Sequence, residues 1–275
     1  MLLKIILSIL AFNIQASDNL VTWMTFDYAP IYQSDRSGFG DIVSKQLQKC
    51  LKDFKHTNLG SSSLPRIFKN LDSNLTMYCL PALGTDPAEQ KGRLASKLVF
   101  TIPNAFIVVR KSDLGRFKAI NNRVSLKSLL QDKKLLGGMV EQGTYGIEVN
   151  SLLRDHGKNV LKRNSVSPMG FYKMLLQKRF DYFFEYPISF LYHIQSLPAE
   201  QRGQFAYLYL EENEKSGAIK AYALCSKASK AVIEKINSCL KNSELQKTYI
   251  DELVEHLPVD LREDYRRLNS LLIGK

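Results

Sequence analysis

The sequence predicts an α/β fold of two lobes with mainly parallel sheets, because strand patterns and helix patterns alternate along the chain. The first pattern is a β-rich run over residues 20–26, which a turn containing Gly38 and Gly40 separates from a helix. Between residues 42 and 51, apolar side chains recur about every 3.6 positions, the period of an amphipathic helix. Asp41 lies where an acidic side chain favours a helix N-terminus. Such alternation is typical of sheets whose strands run mainly parallel.

The later elements divide into two α/β units on either side of residue 104. The β-branched run at 105–110 has the composition of a buried strand. Further strand patterns lie at 75–83, 98–102, 137–140, 180–186, 206–210 and 218–224, and further helix patterns at 64–71, 125–130, 147–154, 168–177, 230–240, 245–253 and 261–271. Two such units predict two lobes with a ligand-binding cleft between them, beyond the carboxyl ends of the strands.

Residues 1–16 are predicted to be a signal peptide. Lys4 supplies the positive charge, residues 5–12 form a short apolar run, and Ala16 is a small residue at a suitable cleavage point. The alternative is a buried N-terminal strand. No later run of 18 or more apolar residues follows. We therefore expect an exported, soluble product.

The charge balance is basic but diffuse. The chain has 38 Lys and Arg against 27 Asp and Glu, a formal charge of +11. Such a balance is typical of proteins that bind nucleic acids, anionic surfaces or anionic ligands, and also of proteins that are simply soluble. The sequence has no run of five like charges and no aromatic–basic repeat. We expect no nucleic-acid partner.

No catalytic or metal-binding motif is present in the sequence. It contains no Gly-x-Ser-x-Gly elbow, no phosphate-binding loop and no Cys-x-x-Cys. The four histidines are scattered, at His56, His156, His193 and His256. We expect neither a cofactor nor a metal, and a protein that is not an enzyme. The alternative is a divergent enzyme that uses the cleft carboxylates Asp27, Asp86 and Glu185 as acid and base.

The four cysteines predict disulfides, since an exported chain meets an oxidising compartment. Four cysteines allow three pairings. Neighbouring positions in the element order favour Cys50–Cys79 and Cys225–Cys239. The alternative is buried free thiols.

These features together resemble the family-3 group of type II periplasmic solute-binding proteins, which includes many amino-acid binders. The resemblance covers nearly all of the mature chain and rests on the order of short motifs. They lie at residues 21–32, 38–41, 83–87, 106–111, 143–144, 180–185 and 221–224. The resemblance implies a hinged cleft, with lobe 1 at 17–103 and 227–275, lobe 2 at 104–226, and crossings near Asn104 and Ser226.

The resemblance also implies a set of ligand-binding residues from both lobes. Thr25 would provide a polar contact and Tyr28 an aromatic wall, or Tyr28 simply packs beside Pro30. The remaining implied positions are Gly84 and Thr85, Gly143, Thr144 and Tyr145, and Glu185 and Tyr186.

Two of these positions carry a specific expectation. Thr144 lies near a predicted helix start, where free N–H groups favour an anionic ligand group, and it is also a candidate N-cap. Glu185 matches the position where the family often places an acidic residue that pairs with a ligand amine, or it is simply exposed beyond the end of its strand.

One departure from the family pattern concerns the ligand. Amino-acid binders carry an arginine shortly after the Gly-x-Thr loop, and here that position has none, while Arg93 is displaced. The sequence therefore predicts a small polar ligand that is not an ordinary amino acid. The expected protein is a monomer that delivers its ligand to a membrane transporter or sensor, or a sensor or partner-binding protein that has kept the fold.

Overall fold

The structure is a computed structural model of the chain. It describes residues 19–273 except 91, 142, 164–168, 215–217 and 256. The predicted signal peptide at residues 1–16 lies outside the described residues. No helix in the described part of the chain combines the length and the apolar character that crossing a membrane requires.

Two mixed β-sheets form the centres of the two lobes. The described strands are β1 Leu20–Thr25, β2 Lys55–Ser61, β3 Met77–Gly84, β4 Leu94–Pro103, β5 Phe106–Arg110, β6 Arg123–Val124, β7 Gly137–Val140, β8 Val160–Arg163, β9 Tyr182–Glu185, β10 Phe205–Leu210 and β11 Ala218–Cys225. The first sheet has the order β2-β1-β3-β11-β4, and the second has the order β6-β10-β5-β9-β7-β8.

Helices cover both sheets. The described α-helices are α1 Phe39–Cys50, α2 Leu64–Leu71, α3 Leu126–Gln131, α4 Ile147–His156, α5 Met169–Leu176, α6 Pro187–Ser196, α7 Ala199–Arg202, α8 Lys230–Cys239, α9 Ser243–Glu255 and α10 Val259–Ile273. The core of the first lobe includes Trp23, Leu47 and Ile236, and that of the second includes Ile107 and Tyr182, all of them fully buried.

The prediction of mainly parallel sheets needs correction. In the first sheet β11 runs antiparallel to both β3 and β4, and in the second β5 runs antiparallel to both β9 and β10. A parallel neighbour requires a crossover connection, usually a helix. β5 and β11 are each the first strand after the chain passes from one sheet to the other. Each of them therefore enters its new sheet in the direction opposite to that of its neighbouring strands.

The second crossing also differs from the prediction. Asn104 lies between β4 of the first sheet and β5 of the second. The chain returns between β10 and β11, because β11 already pairs with β3 and β4. The boundary predicted near Ser226 therefore assigned residues 218–225 to the wrong sheet.

The predicted disulfide pairs, Cys50–Cys79 and Cys225–Cys239, are wrong. Cys79 of β3 is bonded to Cys225 of β11, with their Cα atoms 4.2 Å apart. These two residues are direct partners in the antiparallel register. Antiparallel partners that do not share hydrogen bonds have Cα atoms about 4.5 Å apart, which a disulfide can span. Cys50 and Cys239 are half-buried free thiols.

The two lobes are in direct contact at several points. Asp260 of α10 accepts hydrogen bonds from the hydroxyls of Tyr207 and Tyr209 of β10, at 3.2 and 2.9 Å. On the α6 side, the Tyr192 hydroxyl donates to Gln33 Oε1 at 3.2 Å. These contacts hold the two lobes together.

Candidate functional site

A cavity of about 70 Å³ lies between the two sheets. The first lobe lines it with Phe26, Tyr28, Ile31, Leu64, Ala82, Leu83, Gly84, Phe100, Ile102 and Ala221. The second lobe lines it with Val140, Gly143, Thr144, Tyr145 and Tyr186. No charged side chain is among these lining residues. We call this space the inner cavity.

The Tyr28 wall of the inner cavity is held by the loop after β1. The backbones of Tyr28 and Tyr32 bond each other in both directions, at 3.1 and 3.0 Å. The Tyr32 hydroxyl donates to Ala82 O of β3 at 2.7 Å and accepts from Ala82 N at 2.9 Å. Gly40 is required beneath this loop, because a Cβ there would lie 2.7 Å from the Tyr32 ring. The loop is therefore fixed against the sheet.

The opposite wall consists of Tyr145 and Tyr186, which stack with ring centroids 5.9 Å apart. The Tyr186 hydroxyl accepts from Thr144 N at 3.2 Å and donates to Thr144 O at 2.8 Å. The Tyr145 hydroxyl accepts from Val140 N and donates to Val140 O, at 2.9 and 3.2 Å. Both hydroxyls are therefore used within the protein, and the two rings present mainly apolar surface to the cavity.

Glu185 lies behind this wall rather than in it. Its side chain is 1% exposed. Oε1 accepts from the Tyr28 hydroxyl at 3.1 Å and from Tyr186 N at 2.8 Å. Oε2 is buried and has no hydrogen-bond partner. The bond from Tyr28 joins the two lobes directly across the cleft.

Burial raises the pKa of Glu185 to about 8, and the bonds from Tyr186 N and Tyr28 counteract only part of that effect. Burial also raises the pKa of Tyr28 well above its ordinary value, with a further contribution from the nearby Glu185. At neutral pH the pair is therefore a neutral carboxylic acid and a neutral phenol. A carboxyl group in that state is both a donor and an acceptor.

A larger and more polar groove of about 380 Å³ lies at the mouth of the cleft. It is lined by Thr85, Asp86, Pro87, Asn104, Thr144, Gly146, Ile147, Asn150, Ser151, Arg154, Ala218, Ile219, Lys220 and Tyr222. Among the described residues that line it, Arg154 of α4 and Lys220 of β11 are cationic and Asp86 is anionic. We call this space the outer groove. Thr144 lines both the outer groove and the inner cavity.

The structure brings most of the sequence-predicted site residues to these two spaces. Tyr28, Gly84, Gly143, Thr144, Tyr145 and Tyr186 line the inner cavity, and Thr85 lines the outer groove. Thr25 lines neither space; its carbonyl accepts from Ser62 N at 3.0 Å, beside β2. Glu185 is enclosed, as described above.

Gly84 and Thr85 are fixed by contacts with β11. A Cβ at Gly84 would lie 2.7 Å from the Ile219 side chain, so only glycine allows the strands to pack this closely. Thr85 N donates to Lys220 O at 3.1 Å, and the Thr85 hydroxyl accepts from Gln90 at 2.7 Å. The Thr85 side chain is thus engaged within its own loop.

Thr144 is not the N-cap of the following helix. The helix α4 begins at Ile147, and its N-cap is Gly146 with φ of 115°. A Cβ at Gly146 would lie 2.4 Å from Asn213 Oδ1, which explains the glycine at this position. The N-terminus of α4 therefore lies at the outer groove, which Gly146 and Ile147 line, two residues later than the sequence indicated.

The displaced Arg93 does not take the place of the missing arginine. Its guanidinium binds Asp72 at 2.8 and 3.2 Å and lies 4.5 Å from the Phe68 ring centroid. It lines neither the inner cavity nor the outer groove. Within the described part of the chain, the cations that line the cleft are instead Arg154 and Lys220. Sequence reasoning missed both of them, although Lys220 immediately precedes one of the motifs that carried the resemblance.

The three carboxylates considered for catalysis lie in different settings. Asp27 is exposed, Asp86 is exposed in the outer groove, and Glu185 is enclosed. Within the part of the chain that the structure describes, no group of three or more His, Cys, Asp or Glu side chains is placed to hold a metal ion.

The comparison with solved structures identifies the architecture. A structure described with glutathione import via GshT and the cystine importer TcyBC of Streptococcus mutans matches with a TM-score of 0.65 at 16% identity, covering 90% of this chain and 99% of that one. An ancestral arginine-binding protein matches with a TM-score of 0.63 at 19% identity, covering 87% and 98%. The fold is that of the two-lobed periplasmic binding proteins. The α/β fold class predicted from the sequence is thereby confirmed.

A VFT2 domain also has this fold. The periplasmic VFT2 domain of BvgS from Bordetella pertussis, in a double-mutant form, matches with a TM-score of 0.60 at 15% identity, covering 86% of this chain and 91% of that one. No protein-family model matches the sequence. A search among curated proteins also finds no match.

Proposed function

We propose that this protein binds a small molecule between its two lobes and carries out no chemistry on it. The observation that carries the proposal is the inner cavity, to which both lobes contribute side chains. Clefts between lobes of this kind are common binding sites for small ligands. The similarity to binding proteins of amino acids supports the proposal at the level of the fold.

The lining residues indicate a ligand with two unlike ends. The inner cavity has aromatic and aliphatic walls, and its volume suits a small apolar group. The outer groove offers Arg154, Lys220 and the free N–H groups at the start of α4. Cationic side chains and a helix N-terminus both favour an anionic group. We infer a small organic anion or an anionic derivative whose apolar end enters first.

This ligand class is consistent with the absence of the arginine that grips an amino-acid carboxylate. In the proposed arrangement, Arg154 and Lys220 receive the anionic group further out, at the mouth of the cleft. The ligand's apolar end lies between Tyr28 and the stacked pair Tyr145 and Tyr186. Glu185 then acts behind Tyr28, by positioning its ring, rather than as a direct partner of a ligand amine.

Two experiments test the proposal. Mass spectrometry of small molecules released when the purified protein is denatured would identify a ligand that co-purifies. A thermal-shift screen against organic anions, amino acids, peptides and nucleosides would find one that does not, because a ligand that binds only the folded state raises the melting temperature. Organic anions with a short apolar end should give the largest shift. Absence of a shift with every class would contradict the proposal.

A charge test separates the outer groove from the rest of the basic surface. Lys220→Ala with Arg154→Ala should weaken binding of the best organic anion by about 10-fold or more. Lys133→Ala is the matched control, since Lys133 is exposed and lines neither cavity. Equal affinities in all three proteins would exclude the outer groove as the anion site.

A sensor or partner-binding role is the second candidate. The direct bond between Tyr28 and Glu185, which holds the lobes in contact in the structure as it stands, favours it. Such a protein would transmit its state to another protein instead of delivering a ligand. Turnover of a candidate substrate by the purified protein would instead support the enzyme alternative.

The remaining features of the proposal concern location and assembly. We propose that residues 1–16 direct export, that the mature protein is a monomer, and that its partner is a membrane transporter or sensor. Sequencing the N-terminus of the secreted protein and measuring its mass in solution test the first two points. We place the lobe boundary of the return crossing between β10 and β11.

A further inference from the structure

The two free cysteines lie at matching ends of neighbouring helices. Cys50 is the last residue of α1, and Cys239 is the last residue of α8. Both helices pack on the first sheet through one shared core, to which α1 contributes Leu47 and α8 contributes Ile236, each fully buried. Leu51, which follows α1 directly, is also fully buried. The helix ends therefore cannot move apart without opening that core.

The side chains of the two cysteines lie close to each other. The helix α1 is in direct contact with both α8 and α9. Cys50 raises the pKa of the Cys239 thiol, and both thiols raise the pKa of Tyr249 of α9. Tyr249 is only 3% exposed, so the pair is covered on that side. The thiols themselves are half-buried and remain within reach of a reagent from solvent.

We propose that Cys50 and Cys239 form a second disulfide in the mature protein. Since Cys79 and Cys225 are already bonded to each other, this is the one pairing left for the remaining cysteines. The proposal relies on the proposed export only for the compartment in which oxidation takes place.

The position of the two bridges gives the second disulfide a structural role. The first lobe is built from two separate chain segments, one before the second lobe and one after it. Cys50 and Cys79 belong to the earlier segment, and Cys225 and Cys239 to the later one. Each bridge therefore joins the two segments, one between strands and the other between helices. Together they fix the two segments of the first lobe to each other.

Oxidation of this pair requires an oxidant that itself contains a disulfide. The thiolate of one cysteine attacks the oxidant and forms a mixed disulfide, which releases one thiol of the oxidant. The second cysteine then attacks the mixed disulfide and releases the other thiol. Two protein thiols are oxidised, and the oxidant's disulfide is reduced to two thiols.

The finished bond should be structural rather than a rapidly responding redox switch. Burial raises the pKa of the Cys239 thiol, and the neighbouring Cys50 raises it further. Little thiolate is present at neutral pH, and the thiolate is the species that exchanges. Formation is therefore expected during folding, before the two thiols become half-buried.

The test is peptide mapping of the full mature chain after oxidative refolding with reduced and oxidised glutathione. The sample is denatured without reductant, alkylated and digested. The expected result is a linked peptide pair containing Cys50 and Cys239, beside the pair containing Cys79 and Cys225, with no alkylated cysteine. Alkylation of both Cys50 and Cys239, or a link from either of them to another cysteine, would overturn the proposal.

A variant measures what the bond contributes. Cys50→Ala with Cys239→Ala should lower the melting temperature by about 5–10 °C relative to the oxidised wild type. The matched comparison is wild type whose two free thiols were alkylated before oxidation could occur. An unchanged melting temperature in the double variant would contradict a structural role. If the variant does not fold, the peptide map of the wild type still decides whether the bond exists. Neither measurement involves a ligand, so its failure is distinct from that of the proposed function.

Discussion

Two buried ionisable side chains on neighbouring strands of the second sheet have very different surroundings. Arg110 ends β5, and Glu185 ends β9, which runs antiparallel to it. Arg110 binds Asp113 and Asp181 and donates to the carbonyl oxygens of Leu175 and Phe180 at 2.6 and 2.7 Å. Glu185 has two donors on one oxygen and none on the other.

The difference separates a structural group from a candidate functional group. A buried charge whose donors are all satisfied ties its surroundings together. A buried carboxyl with an unpaired oxygen and a raised pKa is costly to keep, and such groups occur preferentially at functional sites. Arg110 lies at the end of β5 that is remote from the cleft. Glu185, in contrast, accepts the hydrogen bond that supports the Tyr28 wall. We therefore expect Arg110 to govern stability and Glu185 to govern the cleft.

The largest expected effect is the loss of Arg110. Arg110→Met should lower the free energy of unfolding by about 3–5 kcal/mol, because Asp113, Asp181 and two carbonyl groups lose a buried partner. Chemical denaturation measures the change. Arg179→Met is the control, since Arg179 is exposed. Arg116 also binds Asp113 and Asp181. A loss below about 1 kcal/mol would show that Arg116 and water replace the contacts of Arg110.

The next effect concerns the pH dependence that Glu185 imposes. Its pKa is raised to about 8 in the folded protein, so between about pH 4.5 and pH 8 the folded state holds a proton that the unfolded state has released. The stability supplied by that proton is therefore lost progressively as the pH rises through this window. The contribution of Glu185 should fall by up to about 1.4 kcal/mol per pH unit.

Glu185→Gln removes this titration while keeping the shape of the side chain. Unfolding measured at several pH values should show that, relative to Glu185→Gln, the wild type and the control Glu200→Gln lose stability progressively as the pH rises. Buried His193, whose pKa is lowered to about 4, adds the same opposing slope to all three proteins. The variant should also be more stable than the wild type at pH 8. An identical slope in all three proteins would mean that Glu185 is ionised in the folded state.

The smallest effect sharpens the same comparison. Tyr28→Phe removes one of the two hydrogen bonds that lower the pKa of Glu185. The upper limit of the pH window, which is the pKa of Glu185 in the folded protein, should therefore move to a higher pH. The variant should also lose about 1 kcal/mol of stability, the usual contribution of one hydrogen bond. Unfolding as a function of pH reports both changes. A downward move of the window would contradict the assigned bond.

The sequence predicted the fold better than it predicted the contacts of the site. Local periodicity placed most strands and helices, and the order of motifs brought Tyr28, Gly143 and Tyr186 to one cavity. The burial of Glu185 could not be predicted, because it depends on Tyr28 closing over it from the other lobe. A pattern along β9 alone shows an acidic residue at a strand end, where exposure is the ordinary outcome.

The errors share one physical cause, which is that local patterns do not say which sheet a strand joins. β11 has the pattern of any strand, and only its pairing with β3 places it in the first lobe. That pairing also decides the Cys79–Cys225 bond, between residues far apart along the chain. Gly146 was passed over as the N-cap for a related reason. Its need for glycine arises from the contact with Asn213, which is distant in sequence.

The most direct test of ligand binding between the lobes is calorimetric titration of the best compound from the thermal-shift screen into a blocked variant. Thr144 lines both the inner cavity and the outer groove, and its hydrogen bonds to Tyr186 use only the backbone. Thr144→Trp should therefore abolish binding while the protein stays folded, whereas the exposed control Thr76→Trp should bind as the wild type does. Equal affinity in both variants would contradict the account, because the ligand would then bind outside the cleft.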